Sequence, residues 1–347
     1  MSEWKSMKTF NVLLTCVGGE FGPYMVNAMK NGAHKARVIG IDHNPQAVGR
    51  PFCDVFLQAP TGKDPAYPAF ISKLVSDQKI DLIIPTSDEE ALVLSRMKGS
   101  LPGTIVATVG PELLTKLSSK TATYRLLEEH QLPCPDWDEV SDWEKLLTTA
   151  ESFLKKHGRI VVKPAISRGG RDVFHVQVGE CDTTTRMKET YLSFSAFKSD
   201  LKAEFEKHYP VVVMEELDGP VHDLDMLAWE GRPLAVVPRK RLDSDNPNSG
   251  HLVLDNPAFI EMGKNIIERL QLSWLYDCDF MFDKKGQPKI IEINPRQSGS
   301  VSISIAAGMP LLDHVISLAK KAPAGAELNV TPQTIVPFKS LVKVDLG

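Results

Sequence analysis

Asp277 to Ser300 reads DCDFMFDKKGQPKIIEINPRQSGS. Its first residues alternate, with Cys278, Phe280 and Phe282 on one face and Asp277, Asp279 and Met281 on the other. Lys289 to Asn294 alternates again, and Ile290, Glu292 and Asn294 share a face. Lys284-Lys-Gly-Gln287 between them reads as the turn of a hairpin. A turn centred on Lys285 and Gly286 sets Asp279 opposite Glu292 and Asp277 opposite Asn294. Facing carboxylates repel unless a cation lies between them. A hard ion such as Mg²⁺ is held by one or two carboxylates plus the phosphates of a nucleotide. Arg296 follows at once and suits phosphate oxygens. The same residues would also make an ordinary solvated acidic face, and a one-residue change of register decides between the two.

The bulk properties narrow the class. At 347 residues the chain is long enough for two or three domains, and 42% hydrophobic with 24% charged residues is the balance of a globular protein. A net charge of −4 gives no basic footprint, so no nucleic-acid partner is expected. No apolar run reaches the ~18 residues that a transmembrane helix needs, so no membrane partner is expected either. The N-terminus lacks the apolar core of a signal peptide, which points to the cytoplasm. Cys16, Cys53, Cys134, Cys181 and Cys278 are scattered, without C-x-x-C, and are expected as reduced thiols rather than a zinc site.

Phe10 to Thr15 is a short apolar strand, followed by a glycine-bearing loop and a helix to Lys30; Arg37 to Asp42 is the next strand. This is the opening of a doubly wound sheet. Gly18, Gly19 and Gly22 do not have the spacing of a dinucleotide fingerprint, so a dinucleotide is not expected despite Asp42. Asp81 to Pro85 is another buried-type strand, and Thr86-Ser-Asp-Glu-Glu90 opens a helix. Asp88 and Glu89 would sit where such sheets bind ligands, or would simply favour the helix N-terminus.

Pro111 to His130 is helical, with a break at Ser118-Ser119 and Lys120 opening the second piece. Arg159 to Pro164 is a strand in which Arg159, Val161 and Lys163 share a face. Lys163 thus emerges beside the loop Ala165-Ile-Ser-Arg-Gly-Gly-Arg171. A lysine next to glycines suits phosphates, since backbone N–H groups can approach closely while the ammonium supplies charge. Arg168 and Arg171 add cations that either meet a phosphoryl group or decorate the loop. Val211 to Leu217 is a strand ending in Glu215 and Glu216. Asp223 and Asp225 share a face of the next strand, and that strand and its partner turn at Glu230-Gly231. Arg239-Lys-Arg241 either binds a carboxylate or is a solvated turn. His251 reads as a loop residue.

Ile291-Glu-Ile-Asn-Pro-Arg296, with an acid on the preceding strand, resembles the metal signature of the ATP-grasp superfamily. The nearest resemblance is to its carbamoyl-phosphate-synthetase-like branch, which includes the pyrrolysine-biosynthesis ligase. The resemblance spans about Ser118 to Ser300. It implies an α/β ATP-grasp fold with an α+β lid and a Rossmann-like N-terminal domain. The expected division is 1–110 for that domain, 111–213 for linker helices and lid, and 214–347 for the metal-bearing domain. It implies Asp279, Glu292 and Asn294 as Mg²⁺ ligands, with Mn²⁺ as the alternative ion. It implies that Lys120 and Lys163 reach ATP phosphates, and that Ser167, Gly169 and Gly170 close over them. Arg296 and Arg171 would face the transferring phosphoryl group. Leu217 and one of Glu215 and Glu216 would take adenine and ribose, with Asp225 near the nucleotide.

The function implied is an ATP-dependent ligase that activates a small carboxylate as an acyl phosphate and passes it to an amine. A carbamoyl-phosphate-type carboxylate kinase and a non-catalytic nucleotide-binding subunit are the alternatives. Small-molecule carboxylate and amine substrates are the expected partners, with a homodimer left open.

Overall fold

The computed structural model describes residues 9–166, 172–186, 188–321 and 330–344, and the statements below concern these. The chain divides into two compact units, one made of 1–115, 222–278 and 294–347, the other of 116–221 and 279–293.

The first unit opens with a parallel sheet. Strands β1 (Asn11–Leu14), β2 (Arg37–Asp42), β3 (Val55–Gln58), β4 (Leu82–Ile84) and β5 (Ile105–Val106) lie in the order β3-β2-β1-β4-β5. Helices α1 (Gly22–Asn31), α2 (Tyr67–Gln78) and α3 (Asp88–Met97) alternate with them, as expected for a doubly wound domain. The order reverses between β1 and β4, so the crevice beyond their C-terminal ends is the natural ligand position. Strand faces explain the packing. Leu13, Ile39 and Ile83 meet Tyr67, Ile71 and Leu94, while Val12, Val38 and Leu82 enter a second core.

In the second unit, α4 (Pro111–Leu117), which begins in the first, leads to α5 (Lys120–Glu129). The Ser119 hydroxyl caps α5 by accepting from Ala122 N. A mixed sheet follows in the order β6-β11-β7-β8-β10-β9, made of β6 (Trp137–Val140), β7 (Arg159–Pro164), β8 (Val173–Gln177), β9 (Thr184–Arg186), β10 (Glu189–Ser193) and β11 (Val211–Glu215). Helix α6 (Trp143–His157) starts at an Asp142 cap and stops at Gly158, whose φ of 78° suits glycine. It covers one face of the sheet together with α7 (Phe194–Asp200) and α8 (Lys202–Phe205), burying Ile160, Val162, Phe174 and Val213. β9 and β10 lie between Gly179 and Tyr209, a polar and charged stretch whose sequence suggests lid loop plus helix. β9 is fully exposed and carries no apolar alternation.

A third sheet has the order β16-β15-β12-β13-β14-β17. Its strands are β12 (Asp218–Trp229), β13 (Arg232–Arg241), β14 (His251–Val253), β15 (Trp274–Phe282), β16 (Pro288–Asn294) and β17 (Gln333–Ile335). α9 (Pro257–Leu270) lies against β13, while α10 (Val301–Ala306) and α11 (Leu311–Ala319) complete the first unit. β12 and β13 turn at Glu230-Gly231 as expected. β15 and β16 are neighbours. Their turn closes with Gly286 N–H donating to Asp283 O (2.8 Å) and Asp283 N–H to Gln287 O (2.9 Å). Gly286 has φ 74°, which places a loop of Lys284, Lys285 and Gly286 between the paired ends, one residue longer than the two-residue turn read from sequence.

Candidate functional site

In the first unit the crevice between β1 and β4 is floored by a carboxylate the sequence does not single out. Glu90 is 5% exposed and accepts from Thr15 Oγ1 (2.7 Å), Cys16 Sγ (2.8 Å), Ser87 Oγ (2.7 Å) and Tyr67 Oη (3.0 Å). Four donors satisfy a charge that burial would otherwise make costly. The clue in the sequence is Ser87-x-x-Glu90, the spacing of a helix-start box. Burial and Glu90 push the Cys16 thiol up, so it is no thiolate. Asp42 Oδ2 accepts from Gly18 N (2.7 Å) and Oδ1 from Asn44 N (2.8 Å). A Cβ on Gly18 would stand 2.7 Å from Asp42 Oδ2, so the turn requires glycine. Asp42 therefore secures its own loop, in keeping with the missing dinucleotide spacing.

The same unit holds a dense charge cluster. Arg239 is fully buried, paired with Asp225 (Nε to Oδ2, 3.0 Å) and donating to Ser300 Oγ (2.9 Å) and Ser298 Oγ (3.2 Å). Arg241 grips Asp223, with Nη2 to Oδ1 at 2.7 Å and Nε to Oδ2 at 3.0 Å. These cations are built into β13, not the solvated turn that was one reading of them. His251 is likewise not a loop residue. It opens β14, is buried, and stands 3.2 Å from Arg239 Nη1. Burial and the Arg239 charge pull the imidazole down to about 4, so it is neutral near pH 7.

Asn294 Nδ2 donates to Asp277 Oδ2 (2.9 Å). Arg296 Nη2 donates to Asn294 Oδ1 (3.2 Å), and its Nε is ion-paired with Asp88 Oδ1 (3.0 Å). Glu292 on β16 and Asp279 on β15 are both half-buried. The donors are all oxygens, without thiol or imidazole, and that set fits a hard ion such as Mg²⁺.

In the second unit, alternation along β7 sends Ile160 and Val162 towards α6 and leaves Val161 and Lys163 on the other face. Register extends that face across four strands. Met214 pairs with Val161, Val161 with His175, and His175 with Tyr191. Lys163 is 5% exposed. Its Nζ donates to Tyr124 Oη (3.1 Å), and that hydroxyl donates to Ile291 O (2.9 Å). Burial, with the Lys120 charge behind it, pulls the Lys163 ammonium down to about 7, while Glu292 and Glu189 work the other way. A buried lysine with a second cation nearby is stabilised by an incoming anion. Lys120 begins α5, and its backbone N–H donates to Ala165 O (2.8 Å).

The two acids at the end of β11 part company. Glu215 Oε1 accepts from Asp136 N (2.8 Å), and its Oε2 lies 3.8 Å from His157 Nδ1. Glu216 meets His175 Nδ1 (2.8 Å) and Arg159 Nε (2.7 Å). His175 Nε2 lies 2.9 Å from Glu189 Oε2, and its ring stacks on Tyr191 at 4.2 Å. Burial would lower His175, but its bonds to Glu189 and Glu216 outweigh it and hold the imidazolium above its usual range. Leu217 is buried beside them in sequence. Ser167, Arg168, Gly169, Gly170 and Arg171 lie outside the described residues. Sequence reasoning missed Tyr124, His175 and Glu189 as well as Glu90.

Residues 207–342 match the family described as ATP-grasp in the biosynthetic pathway with Ter operon. Residues 12–106 match the PylC-like N-terminal domain. The chain has the ATP-grasp fold. Solved structures agree on the fold. The ATP-grasp chain superposes on the L-amino acid ligase of Bacillus licheniformis with a TM-score of 0.67 at 14% identity, over 94% of this chain and 78% of that one. N5-carboxyaminoimidazole ribonucleotide synthetase from Thermotoga maritima gives 0.64 at 16% identity, over 94% and 79%. The biotin carboxylase domain dimer of Hydrogenobacter thermophilus 2-oxoglutarate carboxylase, solved with MgADP, ADP and bicarbonate, gives 0.67 at 14%, over 90% and 70%. No curated protein matches this ATP-grasp chain in sequence. Among the described residues no helix is long and apolar enough to cross a membrane.

Proposed function

We propose that this protein is an ATP-dependent ligase joining a small carboxylic acid, an amino acid or a close analogue, to an amine. The observation that carries the reading is Lys163, a lysine buried on β7 with its Nζ held by Tyr124 Oη, where burial and the Lys120 charge disfavour the bare ammonium. A triphosphate supplies the missing negative charge. The similarity to a ligase for L-amino acids and to a carboxylase domain solved with MgADP and bicarbonate supports the same chemistry.

In this reading a carboxylate oxygen attacks the γ-phosphorus, the bond to the β–γ bridging oxygen breaks, and ADP leaves. An amine nitrogen then attacks the acyl carbon, losing a proton as phosphate departs. Lys163 and Lys120 take the triphosphate, and Ser167, Gly169 and Gly170 close over it. Arg296 and Arg171 meet the transferring phosphoryl group. Leu217 with Glu215 or Glu216 takes the nucleoside. Asp225, bonded to Arg239 and Ser304, acts through that arginine. Asp279, Glu292 and Asn294 would hold Mg²⁺ or Mn²⁺, which would neutralise phosphate charge. No side-chain nucleophile is needed, because positioning and charge stabilisation carry such transfers.

An ADP-release screen across amino acids and small acids, with an amine present and products read by mass spectrometry, tests this. ADP with an amide is the expected result. ADP with an acyl phosphate alone makes the protein a carboxylate kinase. ATP binding without ADP release makes it a non-catalytic nucleotide-binding subunit. The cytoplasm and a homodimer complete the proposal, the latter checked by light scattering.

A further inference from the structure

Tyr124 is buried and sits four residues after Lys120 on α5, so both side chains share a helix face. A phenol has one proton to donate. Burial, reinforced by Cys134 and Glu292, keeps that proton in place. It goes to the Ile291 carbonyl at 2.9 Å, so the oxygen lone pairs are what Lys163 Nζ meets at 3.1 Å. Nζ is 5.6 Å from the centroid of the same ring, beyond its hydroxyl edge. That side chain thus offers an acceptor to a buried cation, which favours the ammonium over the amine. Trp137 packs against the ring at 5.3 Å. The charged groups around Lys163 are Lys120 on the same helix as Tyr124, Glu292 on β16 and Glu189 on β10.

We infer that Tyr124 is a positioning residue of the nucleotide site: it holds the Lys163 ammonium aimed at ATP phosphate and ties it to the backbone of β16 next to Glu292. The inference rests on the reading of Lys163 as a nucleotide ligand.

Calorimetric titration of the full-length protein with MgATP tests it in four forms. Lys163→Met should weaken binding by on the order of 100-fold, as for a lost charged contact to phosphate. Tyr124→Phe keeps the ring and its packing on Trp137, so thermal melting should stay close to that of the parent. It should weaken binding by on the order of 10-fold, since only the acceptor is lost. The double variant should bind no worse than Lys163→Met alone. KM for ATP should rise in Tyr124→Phe while kcat changes less. If Lys163→Met binds normally, the nucleotide assignment fails. If Lys163→Met is weak and Tyr124→Phe binds normally, the role of Tyr124 fails while that assignment stands. If Tyr124→Phe weakens binding by the same factor with and without Lys163, Tyr124 does not act through the lysine and the inference is overturned.

Discussion

Asp88 Oδ1 stands 3.0 Å from Arg296 Nε, joining the first turn of a helix in the parallel sheet to the residue that follows Asn294-Pro295. The opposite edge of the guanidinium donates to Gln297 O (2.9 Å) and Asn294 Oδ1 (3.2 Å), so the plane of Arg296 is fixed from two sides. Asp88→Asn keeps the size and the favourable position at a helix start but removes the charge that orients the arginine. ADP release should fall by on the order of 10-fold, with stability changed by less than about 1 kcal/mol. Arg296→Ala should fall further, and the double variant should match it. An Asp88→Asn protein with parental turnover would mean that Arg296 needs no such anchor.

Glu292→Gln tests the metal assignment. It preserves shape on β16 and removes one of two carboxylates from an all-oxygen donor set. Turnover should drop by on the order of 100-fold, as for loss of a preorganised charge. The circular dichroism spectrum should be unchanged. Near-parental ADP release at limiting Mg²⁺ would remove Glu292 from the ligand set.

His175 gives a stability prediction with a definite sign. Its folded-state pKa is raised by Glu189 and Glu216 against burial, and Glu189 is lowered in turn, chiefly by the bond to His175. A raised histidine adds stability that is fully present below its unfolded value of about 6.5 and is lost as pH rises through the folded value. Thermal melts without nucleotide should therefore show parent and His175→Gln furthest apart between roughly pH 5 and 6.5, above the carboxylate range, and converging at alkaline pH. A gap independent of pH would show that the histidine contributes packing alone.

What could be seen in the sequence follows from the range of the forces involved. The strand carrying Lys163 is a local period-2 pattern and survives in the fold, whereas the longer turn pairs Asp283 with Gln287, one residue off the register read from sequence. β6 and β9 carry Trp137-Asp-Glu-Val140 and Thr184-Thr-Arg186, polar runs that become strands only because β11 and β10 lie alongside. His251 looks like a loop residue because Asn, Ser and Gly precede it; pairing with β13 and β17 makes it a strand residue. Glu215 and Glu216 are equivalent on paper, and only the partners of each strand face separate them. Tyr124 reads as one more member of an apolar helix stripe. Its hydrogen-bond acceptor lies on β16, far along the chain, where no local pattern reaches.

The last prediction uses the proton on Lys163. Burial and Lys120 bring its pKa down to about 7, against about 10.4 in an unfolded chain. Between those values the unfolded chain binds more protons than the folded one, so this residue makes stability rise with pH in that window and Lys163→Met should flatten the rise. Binding runs the other way. The γ- and β-phosphates favour the ammonium, so the bound lysine titrates higher, and above about pH 7 ATP must bring a proton with it. Apparent affinity should thus decline as pH rises through 7. Calorimetry at pH 8 with ATP alone, in buffers of different ionisation enthalpy, should show uptake of a proton fraction approaching one per site. Lys163→Met should remove that uptake, and Tyr124→Phe should leave it in place or enlarge it, because its lysine begins with less proton. Equal uptake in the parent and Lys163→Met would mean that the proton goes elsewhere and that Lys163 does not carry the charge met by ATP.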